Sequence, residues 1–239
     1  MIDRRRLLLM RHGAVEYFTD EGRPVPADQV PLTAVGVAQA QAIGHALAAA
    51  GVRVDRAFSS GMPRTRDTAA NVLAAMQSVL GVEHWPQFEE IRPGRLADIA
   101  DEHLRDAFLT PFQGSAPSAT RFLGGETIGE LVGRVLPALQ ELLRSDDWDT
   151  ALLVAHGGVN RALLSWFLTG EPVFLGGLAQ DPGCLNIIDI APVPAQTVVR
   201  VVNYCPLEPL QTATRATTME ELLRQYQRRV VDRTAREEP

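Results

Sequence analysis

Short apolar runs in this chain alternate with longer stretches in which apolar residues return every three or four positions. Leu7 to Met10 is an unbroken apolar run and reads as a short buried strand. Thr33 to Ala50 reads as a helix: Thr33 is a good N-cap, alanines fill the body, and Gly51 suits the C-terminal end. Arg56 to Ser59 reads as a second strand. Pro63 to about Leu80 reads as a helix with proline in its first turn, where a missing N–H costs nothing. Thr127 and Glu130 have capping-box spacing and predict a helix from there towards Leu143. Ala151 to Ala155 reads as a strand, followed by a helix from about Val159 to Leu168. Leu185 to Ile190 and Thr197 to Asn203 read as late strands rich in β-branched residues.

Strands alternating with long helices predict an α/β fold with a mostly parallel central sheet covered on both faces. Arg92 to Leu123 breaks that rhythm. It mixes prolines, glycines and short apolar pieces, and reads as an irregular helical insertion roofing a pocket. Its arginines Arg92, Arg95, Arg105 and Arg121 either meet a polyanionic substrate or pair with Asp98, Asp101, Glu102 and Asp106. Phe108, Phe112 and Phe122 either line an apolar wall or anchor the insertion. The chain divides at about 206 into a main domain and a C-terminal part, 207–239. There a polar connector leads to a charged helix from about Thr218 to Val231, with Leu222, Leu223, Tyr226 and Val230 on one face. That face packs on the same domain or on a second subunit, so a homodimer is compatible with the pattern.

Composition narrows the function. Hydrophobic residues make up 46% of the 239 residues, enough for a sizeable core. The net charge of −6 argues against a general nucleic-acid binder, but a local cluster of arginines can still hold a small anion. The two cysteines, Cys184 and Cys205, lack C-x-x-C neighbours and read as reduced thiols rather than a zinc or dithiol site. The apolar run in MIDRRRLLLM is too short for a signal sequence and stops at Arg11. No stretch approaches the roughly 18 apolar residues of a membrane span. A cytoplasmic protein is expected.

Ligands of such folds gather at the C-terminal ends of the strands. The first strand ends in Arg11-His12-Gly13, the second in Ser59-Ser60 with Arg64 just beyond, and a later one in His156-Gly157-Gly158. Two histidines and two arginines there make a pocket for a dianion: a guanidinium grips two oxygens at once, and a neutral imidazole is a nucleophile. The glycines beside the histidines let backbone and ligand approach closely. Glu89 and Glu90 precede the insertion.

These residues also carry a resemblance. RHG at Arg11 to Gly13, PLTAVGVAQA at Pro31 to Ala40, SSGMPRTRDTA at Ser59 to Ala69, EIRPG at Glu90 to Gly94, GGET at Gly124 to Thr127 and VAHGGV at Val154 to Val159 stand in the order of the histidine phosphatase, or phosphoglycerate-mutase-like, superfamily. The similarity runs from about Leu7 to Asn203. It implies a three-layer α/β/α sandwich without a cofactor or a metal. It further implies that His12 attacks the phosphoryl group, that Arg11, Arg64 and His156 hold it, and that Glu90 serves as acid and base. Gly13 and Gly157 would border the phosphate. Glu89 competes with Glu90 for the acid role, although motif spacing favours Glu90. Arg23, in the loop, either approaches the pocket or stays in solvent. His45, His84 and His103 match no motif.

Departures matter as well. Relatives commonly read RHG-E-[ST] with an Asn a few residues on, whereas this chain has Ala14, Val15 and Glu16, with Phe18 at the Asn position. Gly157 fills the slot where some members carry an Asp acid. Mutase-like members read HGNS where this chain reads HGGV, and ERxYG where it reads EIRPG. The expected activity is therefore hydrolysis of a small phosphorylated metabolite. The alternatives are mutase-type phosphoryl transfer and, from another class, a non-catalytic phosphate-ligand binder.

Overall fold

The computed structural model describes residues 2–19, 23, 25–210, 212 and 215–237, with side chains described as far as residue 228. Six strands form one sheet: β1 (Arg5–Arg11), β2 (Arg56–Ser59), β3 (Val82–His84), β4 (Thr150–Ala155), β5 (Leu185–Ile190) and β6 (Val198–Tyr204). Their order across the sheet is β3-β2-β4-β1-β5-β6. Only β5 runs against its neighbours, antiparallel to both β1 and β6, so the sheet is mostly parallel as expected.

Side chains alternate between the two faces of the sheet, and each face has its own core. Leu8, Met10, Ala57, Leu152 and Val154 meet helices α1 (Ala34–Ala49) and α2 (Pro63–Ala75). Leu7, Leu9, Phe58, Leu153 and Ala155 meet α4 (Ile128–Arg144) and α5 (Gly157–Thr169). Every residue of β4 is buried, as a central parallel strand covered on both faces must be. The result is the three-layer sandwich. The caps formed as read: Thr33 Oγ1 accepts from Gly36 N at 3.1 Å, and Thr127 and Glu130 close a capping box.

Two elements differ from the sequence reading. Helix α2 stops at Ala75 rather than near Leu80. Gln77 turns into the left-handed region at φ 57°, and the Gln77 and Ser78 N–H groups return to the carbonyls of Ala74 and Leu73. That is a Schellman closure made without glycine. Strand β3, only three residues long, was not expected. It adds to β2 and delivers the chain, through Trp85 N to Ser59 O at 2.8 Å, towards Glu90.

The insertion carries α3 (Asp101–Leu109) between two short 3-10 turns. Its phenylalanines are anchors, and Phe112 also lines a cavity. Phe108 and Phe122 are buried in the larger core, and Phe112 packs edge-on against Phe122 and Phe174. Arg92 lies 3.8 Å from Glu89 and Arg121 donates to the Gly125 carbonyl. Neither those two nor Arg95 or Arg105 forms an ion pair with Asp98, Asp101, Glu102 or Asp106. Helix α6 (Thr218–Glu237) buries Leu223 in the larger core, with Met219, Leu222 and Tyr226 packed against it. The side chain of Val230, expected on the same face, lies outside the described residues. Among the described residues no helix is long and apolar enough to cross a membrane, and no cluster of three His, Cys, Asp or Glu could hold a metal ion.

Candidate active site

The adjacent strands β2, β4 and β1 all end at one edge of the sheet. His12 follows β1 and His156 follows β4, because the parallel pairing sets Arg11 opposite Ala155. Their rings lie 5.2 Å apart, centroid to centroid, at 67°. Backbone bonds fix His12: its N donates to Ala155 O at 3.1 Å and its O accepts from Gly183 N at 2.9 Å. Gly13 lies so close to α1 that a Cβ there would sit 2.4 Å from the Gly36 carbonyl oxygen. The glycines of two separate motifs therefore exist to let two backbones touch. Gly13 N also donates to Thr68 Oγ1 at 3.0 Å, and Thr68 Oγ1 donates to Arg64 O at 2.7 Å, tying the start of α2 to the first strand.

The His12 imidazole is held in a defined tautomer. His12 Nδ1 lies 2.8 Å from the Gly13 carbonyl. A carbonyl only accepts, so Nδ1 carries the proton and Nε2 keeps its lone pair. His156 Nε2 is 2.8 Å from Ser60 Oγ, which is in turn 2.9 Å from Thr65 Oγ1. Burial above all, then the guanidiniums of Arg11 and Arg64, pushes the His12 pKa well below its usual range. His156 is lowered in the same way by burial, then by Arg64. Both rings are neutral near pH 7.

Arg11, Arg64, His12 and His156 are at most 6% exposed. Three of their polar atoms are buried without a hydrogen-bond partner: Arg11 Nε, Arg64 Nε and His156 Nδ1. Leaving such groups unpaired costs about 1–3 kcal/mol each, more for charged ones; a bound oxyanion would accept from the two guanidinium atoms, and from His156 Nδ1 in the tautomer that carries the proton there. Glu90 joins them at the N-terminus of α5. Both its carboxylate oxygens accept from Gly158 N at 3.1 Å, and Oε1 accepts from Ile91 N at 2.9 Å. A Cβ on Gly158 would fall 2.5 Å from Oε1, so that glycine makes room for the acid. Glu89 faces away, towards Arg92. Arg23 is exposed on its loop, where its carbonyl accepts from Thr19 N at 2.8 Å, and it is not among the buried groups of this cluster.

Comparison with known proteins supplies the family. The family model described as the histidine phosphatase superfamily (branch 1) matches residues 7–203. The chain belongs to that superfamily. It is 31% identical over 185 residues to a 2,3-bisphosphoglycerate-dependent phosphoglycerate mutase of Methylobacterium sp. (strain 4-46), covering 67% of this chain and 79% of the mutase. Among solved structures it resembles the alpha-ribazole phosphatase from Shigella flexneri, with TM-score 0.63, 26% identity, and 83% of this chain and 96% of that one covered. The fold also matches a mycobacterial glucosyl-3-phosphoglycerate phosphatase solved with VO3, with TM-score 0.62, 22% identity, and coverages of 83% and 98%. Histidine phosphatases thus supply both the hydrolases and the mutases among its relatives.

Sequence reasoning missed several supports of this histidine phosphatase site. Arg134, on α4, donates to the carbonyls of Gln87 and Glu89, both at 2.8 Å, and to that of Glu90 at 3.4 Å. Glu126 clamps the same guanidinium with both oxygens and also accepts from Arg92 N. The backbone on either side of Glu90 is therefore held by one partly buried ion pair. Glu126 lies inside the GGET motif, which was the available signal; Arg134 stands in no motif. Thr218, at the start of α6, accepts from Arg11 Nη1 at 3.1 Å, while Gln180 O accepts from the same nitrogen at 2.5 Å. With the partners 207 positions apart, nothing local in the sequence announces the Thr218 contact.

Replacing Arg134 by Met should lower kcat by up to about 10²-fold through misplacement of the Glu90 carboxylate, with KM little changed and the circular dichroism spectrum preserved. Acid should also weaken the fold. An unfolded histidine titrates near pH 6.5, whereas His12 and His156 resist protonation in the native state. The unfolded chain then binds more protons below about pH 6.5, so their contribution to stability is complete above that value and falls as the pH drops beneath it. Urea midpoints measured between pH 5 and 8 check this.

Proposed function

We propose that the protein is a phosphomonoesterase acting on a small phosphorylated metabolite through a phosphohistidine on His12. The observation that supports this is a neutral histidine in one buried cluster with Arg11, Arg64 and His156, whose Arg11 Nε, Arg64 Nε and His156 Nδ1 atoms have no hydrogen-bond partner. In the first half-reaction His12 Nε2 attacks phosphorus and the ester P–O bond breaks. Glu90 gives its proton to the leaving alkoxide. The guanidiniums and His156 bind the oxygens on which charge collects. In the second half-reaction water attacks the phosphohistidine, Glu90 takes the water's proton, and the P–N bond breaks to give inorganic phosphate. The Gly13 carbonyl accepts a hydrogen bond from Nδ1–H throughout and so steadies the positive ring of the intermediate. These steps use only groups of this chain.

Mutase-type transfer to a second hydroxyl is the competing reading, favoured by the identity to the Methylobacterium mutase. Against it stand Ala14, Val15, Gly158 and Val159 at mutase-typical polar positions, and Phe18, which is buried and packs 6.2 Å from the Tyr226 ring of α6. Incubation with phosphoglycerate and other phosphorylated metabolites decides between them. Phosphate release should exceed positional interconversion. Rapid interconversion with negligible free phosphate would reverse the assignment.

A further inference from the structure

We propose a second anion site in this protein, for a carboxylate on a small apolar body, in the cavity between the start of α6, the 176–183 loop and Arg161. The cavity has a volume of about 610 Å³, within the roughly 300–1,000 Å³ range of small-ligand pockets. Its walls are largely apolar, among them Val35, Phe112, Leu178 and Met219.

Arg161 is the reason to expect an anion. It lies in the first turns of α5 and is 6% exposed. Its Nε donates to Gly176 O at 3.1 Å, its Nη1 to Gly157 O at 3.0 Å, and its guanidinium lies 5.1 Å from the Phe112 ring centroid. Nη2 makes no hydrogen bond, and no carboxylate pairs with Arg161 among the described residues. Burial, followed by repulsion from Arg11, pushes its pKa down to about 10. Glu90 and Asp181 attract the charge from a distance, but a buried cation with no carboxylate paired to it is costly, and it faces the cavity that its side chain helps to line.

A second element converges on the same space. Thr217, Thr218 and Met219 line the cavity where α6 begins. The Thr217 hydroxyl caps Glu220 N, and the Glu220 carboxylate answers on Thr217 N. The N–H groups of Thr218 and Met219 make no hydrogen bond among the described residues. The positive end of a 20-residue helix therefore lies beside Arg161 in one cavity. Asp181 and Glu208 also line it; the Asp181 carboxylate accepts from Asn203 Nδ2 at 2.8 Å. With those acids and Arg215 present, the wall suits a monoanion better than a dianion.

This site adjoins the phosphate site without being part of it. A Cβ on Gly157 would lie 3.2 Å from Arg161 Nη1 and 3.5 Å from Arg11 Nε, so the two guanidiniums are neighbours across that glycine. The carboxylate could belong to the substrate itself or to a separate small acid.

Calorimetry with phenylphosphonate, 4-carboxyphenylphosphonate and benzoate tests the proposal, because none of these probes can be hydrolysed. Benzoate should bind saturably. The affinity should fall about tenfold or more, the scale of one charge-assisted hydrogen bond, both in Arg161→Gln and in Val35→Glu, which puts a negative charge on the cavity rim. Val35→Glu removes no hydrogen bond of the active site, so it guards against a merely structural effect of losing Arg161. If substrate supplies the carboxylate, 4-carboxyphenylphosphonate should bind about tenfold tighter than phenylphosphonate; if a separate acid does, benzoate alone should show the loss. No saturable benzoate binding, or binding unchanged in both variants, would overturn the proposal. Failure of phenylphosphonate to bind while benzoate does would instead count against the phosphomonoesterase reading.

Discussion

His12→Ala will release phosphate from p-nitrophenyl phosphate at least about 10³-fold more slowly than the parent protein. Losing a nucleophile that acts as part of a unit removes nearly all of the catalysis the unit provides. The remaining groups, Arg11, Arg64 and His156, can still bind the oxyanion, so vanadate or phosphate should bind the variant with little loss. That combination separates a nucleophile from a binding residue: kcat collapses while affinity for the product survives. A second readout is chemical. Brief incubation of the parent with labelled substrate, then quenching in alkali, should leave label on His12 as an acid-labile, alkali-stable adduct. His12→Ala should carry none. Phosphate release at near-parent rates in this variant would remove the phosphohistidine from the scheme.

Glu90→Gln is expected to lower kcat by about 10²–10⁴-fold, and the size of the loss should depend on the leaving group. Glutamine keeps the shape of Glu90, and its carbonyl oxygen can still accept from Gly158 N and Ile91 N, the contacts that hold the native side chain. It cannot deliver a proton. An alkyl phosphate needs that proton as its P–O bond breaks. Nitrophenolate leaves without it, so the first half-reaction of p-nitrophenyl phosphate should be nearly spared. The second half-reaction still needs a base to activate water. Rapid mixing should therefore show a burst of nitrophenol followed by slow turnover, with phosphoenzyme accumulating. Glu89→Gln is the matched control, since its side chain is directed to Arg92 rather than into the cluster. An equal loss in both variants would mean that Glu90 does not provide the proton.

What could be read in advance followed from the range of each interaction. Strand and helix positions were legible because β1 and β4 carry short apolar runs and because Thr33, Pro63 and Thr127 punctuate the helices. The two histidines and two arginines were legible because strand ends in such a sheet share one edge. The early stop of α2 was hidden, since Gln77 adopts a conformation that glycine usually signals. β3 was hidden by its length: three residues carry no period. The Arg134–Glu126 clamp and the Thr218 contact to Arg11 were hidden for a different reason. Each joins segments whose spacing along the chain carries no pattern, and only the folded arrangement brings them together.

The family-matched segment ends at residue 203, yet Arg11 leans on a hydroxyl fifteen positions beyond it. The smallest piece that preserves the native environment of this guanidinium is thus longer than the piece shared with relatives. A recombinant form trimmed to the common boundary would expose the apolar bed of Leu223 and strip one acceptor from Arg11 at the same time. Purification handles belong at the other end of the polypeptide.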